Sequence, residues 1–253
     1  MQKLFLVLIC LWLAPTLPGT AASDVYTPPD IPPGVDRTTV PAAREDWRRH
    51  VQENFIKARG KHFDVVFDGD SITAGWNWKG RGQEVWDSHF AKLNAIDFGI
   101  AGDQVQNVLW RLQQGQLDGI DPKLVVLMIG ANNLTIGNDT PSDTVEGIKA
   151  LLSEYLKVAP NAKFLLMGVL PQKSDSVTDV LRVKVSQVNA MLPPLADGKR
   201  VFYHDFGSLF LNDDGSLRAD FFVSDRVHPA GPGYQAWADA LQPEMDKLLP
   251  STP

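Results

Sequence analysis

Leu124-Val125-Val126-Leu127-Met128-Ile129 runs directly into Gly130-Ala131-Asn132-Asn133. Six apolar residues without alternation do not make a strand with one wet face. Bounded by a polar turn and rich in branched side chains, they read as a strand buried on both sides. Outward from it, residues 95–98 and 63–68 read as strands on the N-terminal side, and residues 163–170 and 201–204 on the C-terminal side. Between them the apolar positions recur at helical spacing. Trp47, Val51 and Phe55 mark a helix over residues 42–58, and Val108 and Leu112 one over 104–114. Helices are also expected at 83–92, at 144–158, at 178–192 before Pro193-Pro194, and at 233–249 with a kink at Pro243.

Buried strands alternating with amphipathic helices predict the α/β class, as a three-layer α/β/α sandwich on a five-stranded parallel sheet, flavodoxin-like in style. No repeat, low-complexity tract or long linker divides it. Met1-Gln2-Lys3, an apolar run over residues 4–14 and the exit Thr20-Ala21-Ala22 predict a secretory signal peptide over residues 1–22, and hence a secreted or periplasmic protein. The run falls short of the roughly 20 residues of a membrane span. Cys10, the only cysteine, sits inside it after bulky Ile9 and before more apolar residues, so it does not read as a lipidation site. Residues 23–253 would then hold no disulfide, and the core alone would carry stability. Residues 23–41, with Pro28, Pro29, Pro32, Pro33 and Pro41, read as an extended surface arm, and residues 42–253 as the folded domain. The chain holds 24 basic and 30 acidic residues, a net charge of −6, and loss of Lys3 makes it one more negative. That balance argues against nucleic acid and anionic membrane as partners.

Parallel strands deliver the turns after their carboxyl ends to one edge of the sheet. Gly69-Asp70-Ser71-Ile72-Thr73 follows the first strand, Gly99-Ile100-Ala101-Gly102-Asp103 the second, and Gly130-Ala131-Asn132-Asn133 the third. Ser71 offers a hydroxyl and a backbone N–H, Gly102 an unobstructed backbone N–H, and Asn132 an amide NH₂. Acyl transfer needs such donors converging on one developing oxyanion. Near the other end, Asp225-Arg226-Val227-His228 can supply a base and its orienting carboxylate from a single loop.

These blocks resemble those of the SGNH/GDSL-type esterases, whose letters match Ser71, Gly102, Asn132 and His228, with Asp225 in the last block. The resemblance covers roughly residues 45–248. Phe98-Gly99-Ile100-Ala101-Gly102-Asp103 with Val108-Leu109-Trp110-Arg111-Leu112 is similar to the branch of platelet-activating-factor acetylhydrolase catalytic subunits. It implies a triad of Ser71, Asp225 and His228, an oxyanion hole of Ser71, Gly102 and Asn132, and no metal or other cofactor. Ala101 and Ala131 depart from that branch, and Arg226 stands where it commonly has glycine. Arg226 could place a cation beside the base or meet an acidic substrate group. The elbow G-x-S-x-G is absent because Thr73 occupies its second glycine position, which disfavours the α/β-hydrolase fold.

Other residues have plainer readings. Asp70 and Asn133 brace their turns. His50, His62, His89 and His204 lack partners at ligand spacing, so surface or core roles outweigh metal binding. The sequons at Asn133 and Asn138 read as chance matches. Trp86, Trp110 and Trp237 lie on inner helix faces. Trp76 and Trp78, in a loop with Gly75, Gly80 and Gly82, could stack on a sugar, wall an acyl pocket, or simply pack the loop onto the sheet.

The loop is short and no apolar lid follows, which favours short acyl groups, acetyl above all, on a small-molecule or carbohydrate ester. Lysophospholipase- or thioesterase-like chemistry fits the same residues. A non-catalytic carbohydrate-binding protein on this scaffold is one rival. A flavodoxin-like nucleotide binder is another, disfavoured by acidic Asp70 and the lack of a P-loop lysine.

Overall fold

β1 (Val65–Gly69), β2 (Ala95–Asp97), β3 (Leu124–Met128), β4 (Lys163–Met167) and β5 (Val201–His204) form one sheet in the order β2-β1-β3-β4-β5. All neighbouring pairs are parallel. This is a computed structural model, and it describes residues 31–44 and 48–249. The expected signal peptide and the first part of the arm lie outside the described residues.

Strand order reverses between β1 and β3, which opens a crevice at their carboxyl ends. Alternate residues feed two cores. Val66, Val125, Leu127, Phe164 and Leu166 face α4 (Val105–Gln113), α6 (Pro141–Val158) and α7 (Val180–Met191). Val65, Phe67, Val126, Met128 and Leu165 face α3 (Gln83–His89) and α8 (Gly231–Leu248). The α/β class, the five parallel strands and the three layers agree with the sequence reading. α8 remains helical through Pro243. α6 begins three residues earlier than expected, because Thr140 and Asp143 close a capping box ahead of Pro141.

The first helix is shorter than its periodicity suggested. α1 spans Arg48–Ala58, and Ala42 is not helical: its N–H donates to Gln106 O, and its carbonyl accepts from Asn107 Nδ2 at 2.9 Å. Those bonds commit Ala42 to α4. The described end of the arm also packs down, since Thr38 is fully buried and donates to Asp143 O at 2.7 Å. Trp86 and Trp237 are buried, whereas Trp110 is only half-buried.

Candidate active site

The turn that carries Ser71 is built from glycines that nothing larger can replace. A Cβ on Gly69 would sit 2.2 Å from Met128 O, and one on Gly99 would sit 2.4 Å from Ala74 N. Asp70 then caps the short helix α2 (Ser71–Ala74), its Oδ1 accepting from Ile72 N at 2.9 Å. Tyr234 of α8 donates to Ile72 O at 2.7 Å and holds the turn from below. Ser71 is thus the first helical residue beyond β1, beside the crevice.

His228 arrives from a loop pinched by the bridge between Phe222 and Pro229. Its Nε2 lies 2.8 Å from Ser71 Oγ, and its Nδ1 lies 2.7 Å from Asp225 Oδ2. A carboxylate only accepts, so Nδ1 carries the proton and Nε2 accepts from the serine hydroxyl. Asp225 Oδ1 also accepts from Val227 N at 2.8 Å and His228 N at 3.0 Å. Partial burial acts to raise Asp225, but the bonds from His228 and Val227 outweigh it and hold the carboxyl below its ordinary range.

Gly102 adopts φ +79°, a left-handed conformation suited to glycine, and Arg44 closes the space where a side chain would stand. Arg44 Nη1 donates to Ala101 O at 3.0 Å. Asn132, on α5 (Ala131–Thr135), donates from Nδ2 to Asp103 O at 3.0 Å, which joins the turns after β2 and β3. One amide hydrogen goes to that carbonyl, and the other has only a long bond, to Asp70. Asp70 Oδ2 lies 3.5 Å from the same nitrogen. Burial pushes Asp70 up to about 7; the Ile72 N–H opposes the shift and Asp103 adds to it.

Asn133 is fully buried; its side chain accepts from Val105 N and donates to Gln106 and Asp139, so this sequon cannot be glycosylated in the folded chain.

The two tryptophans part company. Trp78 is half-buried, with its ring 6.0 Å from that of His228. Trp76 is fully buried, 4.5 Å from the ring of Tyr234 and 5.2 Å from those of Phe90 and Trp237. The 3₁₀ turn Gly75–Asn77 rotates it into the core, so it offers no ring to a substrate. Arg226 has a partner within the chain. Its guanidinium is ion-paired with Asp175 on the loop after β4, in place of a substrate group.

Sequence reasoning missed the support beneath the turns. Arg111 of α4 donates to Asp68 Oδ1 at 2.8 Å and to Asp103 Oδ2 at 2.9 Å. Gln116 and Tyr155 also donate to Asp68, whose Oδ1 accepts from Gly69 N at 2.8 Å. The one available signal was a carboxylate ending an otherwise apolar strand.

The model of the GDSL-like lipase/acylhydrolase family matches residues 67–236. Platelet-activating factor acetylhydrolase IB subunit alpha2 of Rattus norvegicus is 32% identical over 225 residues, covering 85% of this chain and 92% of the relative. Among solved structures, a GDSL-like lipase from Bacteroides thetaiotaomicron superposes with a TM-score of 0.64 at 22% identity, over 81% of this chain and 98% of that one. A catalytic mutant of an acetylxylan esterase from Geobacillus stearothermophilus superposes with a TM-score of 0.55 at 18% identity, over 74% and 94%. At these identities the two superpositions speak for the fold.

Proposed function

Because the chain belongs to the GDSL-like lipase/acylhydrolase family of ester-hydrolysing enzymes, we propose that it is a secreted serine esterase that cleaves short acyl groups, acetyl above all, through an acyl-enzyme. The observation that carries this reading is the hydrogen-bonded line from Ser71 Oγ through His228 to Asp225.

In this reading His228 Nε2 takes the Ser71 proton as Oγ attacks the ester carbonyl. Asp225 fixes the imidazole tautomer and stabilises its charged form. The negative oxygen of the tetrahedral intermediate rests on the N–H groups of Ser71 and Gly102 and on the Asn132 amide hydrogen that gives up its long bond to Asp70. His228 then protonates the departing alcohol, and activates the water that frees the acid. His228 must be neutral to accept the Ser71 proton.

The short-acyl preference is supported by the turn after the nucleophile, which sinks Trp76 into the core and builds no apolar lid there. The acetylhydrolase named among the relatives points the same way. Export is supported by Lys3, the apolar run and the Thr20-Ala21-Ala22 exit; a mature N-terminus at Ser23 on sequencing is expected, and one retaining Met1 would overturn it. Among the described residues no helix is long and apolar enough to cross a membrane.

Hydrolysis of p-nitrophenyl acetate, butyrate and octanoate tests the reaction. Turnover should fall with chain length, and Ser71→Ala should lose kcat on the order of 10⁶-fold, the scale of a lost serine in a hydrolase triad. A folded Ser71→Ala protein with near-normal kcat would remove the nucleophile assignment. A rate that rises toward octanoate would replace acetyl with a long-chain substrate.

A further inference from the structure

Beside the nucleophile turn lies an open cleft of about 460 Å³, walled by α1, by the turn around Asn77 and Trp78, and by the chain from Asp97 to Ala101. We propose that this cleft is the alcohol subsite of the esterase and that it takes a polyhydroxylated alcohol, a sugar. The inference rests on Ser71 as nucleophile and His228 as its base.

Catalysis itself says which half of an ester belongs there. The leaving oxygen must be protonated by His228 Nε2, so the alcohol half lies on the His228 side of the scissile bond. Trp78 connects that side to the cleft: its ring is 6.0 Å from the His228 ring, and it forms part of the cleft wall. The lining also includes Ala101, next in sequence to Gly102 of the proposed oxyanion hole. An ester held at Ser71 therefore directs its alcohol into this space.

The lining is chemically specific. Asp97 Oδ1 accepts from Gly99 N at 2.7 Å, and its Oδ2 accepts from Asn77 Nδ2 at 2.7 Å. Burial pushes the Asp97 carboxyl up to about 8, so it offers a hydroxyl as well as an acceptor, and Asn77 keeps a second amide hydrogen. Glu53 and Lys57 line the α1 side. The Arg81 guanidinium sits 4.8 Å from the Trp78 ring centroid and steadies the indole. Fixed acceptors and donors on one wall, with an aromatic ring beside them, match the hydroxyl rim and C–H faces of a pyranose. A fatty chain would desolvate Glu53 and Lys57 without giving anything back. Glu53 beside Lys57 leaves no net positive charge for a phosphate.

The test compares two acetate esters on the whole protein, xylopyranose tetraacetate and ethyl acetate, which share the acyl group and differ in the alcohol. The sugar ester should be favoured in kcat/KM by at least about tenfold. That ratio should fall about tenfold in Asn77→Ala and again in Trp78→Ala, mainly through KM. Asn77 is exposed, so its variant is expected to fold even if loss of Trp78 disturbs the loop. Ser71-dependent turnover with no sugar preference, or a ratio untouched by both variants, would overturn the subsite and leave the esterase reading standing. A 2-acetyl glycerophosphocholine preferred over the sugar acetate would overturn it in favour of a phospholipid. Absence of Ser71-dependent turnover on every ester would bring down the esterase reading and the subsite together.

Discussion

The Ser71 side of the candidate site and the His228 side are built to opposite specifications. Under Ser71 and Gly102 lies a dry network: Asp68 is 0% exposed, Arg111 1% and Asp103 3%, and all three are joined by direct bonds. The base stands on a surface loop, where the Asp225 side chain is 44% exposed and its neighbouring ion pair, Arg226 with Asp175, is exposed on both partners. Arg226 also sits at φ +56°, a conformation that costs a non-glycine residue on the order of 1 kcal/mol. Preorganised donors need rigidity, because they stabilise charge only if they do not have to move. The His228 loop is held instead by short local bonds, from Val227 N and His228 N to Asp225 and from Arg226 to Asp175.

The sharpest way to break this contrast is Arg111→Met. It leaves Asp68 buried without its cation, which costs about 3–5 kcal/mol for a broken buried pair. Urea unfolding should show the loss; a change below about 1 kcal/mol would mean the network is not what holds the nucleophile side. Asn132→Ala comes next. Removal of one oxyanion donor costs about 3 kcal/mol, or roughly 10²–10³ in kcat. Near-normal kcat in the folded variant would leave Asn132 as a tie to the Asp103 carbonyl alone.

Asp70 sharpens the comparison through pH. Its folded carboxyl lies at about 7, above its usual value of 3.8, chiefly because it is buried. Between those two values the native state holds a proton that the unfolded chain has released. With respect to this group, stability therefore falls as pH rises from about 4 to 7, and the penalty is complete above 7 and absent below 4. Asp70→Asn keeps a capping oxygen and removes the charge. The Tm should then decline less steeply over pH 4–7; an unchanged slope would show that Asp70 does not carry it. Asp103, pushed up to about 6 by burial against the pull of Arg111 and Arg44, contributes in the same direction and remains in the variant.

The smallest effect is expected on the loose side. Asp175→Asn weakens an exposed ion pair, and kcat should change by less than about fivefold at physiological salt. Arg226→Gly loses the same pair but also relieves the left-handed backbone, so it should come closer still to the parent. A large loss in either, read as kcat on p-nitrophenyl acetate, would show that the ion pair positions the base loop after all.

How much of the molecule is legible in its sequence depends on how local each signal is. Buried strands are legible because short apolar runs rich in branched residues and bounded by polar turns, as at 124–129, are too short for a helix and alternate with longer stretches of helical period. Asp225 and His228 are legible because three residues of one loop suffice to bring base and carboxylate into contact. The partners of Asp68 are not: Arg111 is 43 residues away and Tyr155 is 87, and nothing local in either helix says which carboxylate it will meet. Trp76 and Trp78 illustrate the same limit at short range. They are two residues apart in one glycine-rich turn, yet one fills the core and the other walls the site, because a single 3₁₀ turn sets their directions.

By itself the sequence determined the α/β layering and the chemistry at the strand ends, since hydrophobic period and residue type are properties of short segments. Only the tertiary structure decided that Arg226 faces Asp175, that Arg111 clamps Asp68 and Asp103 together, and that Asp97, Asn77 and Trp78 share a cleft. Those are meetings of side chains from separate elements, and their outcome depends on packing across the whole sheet.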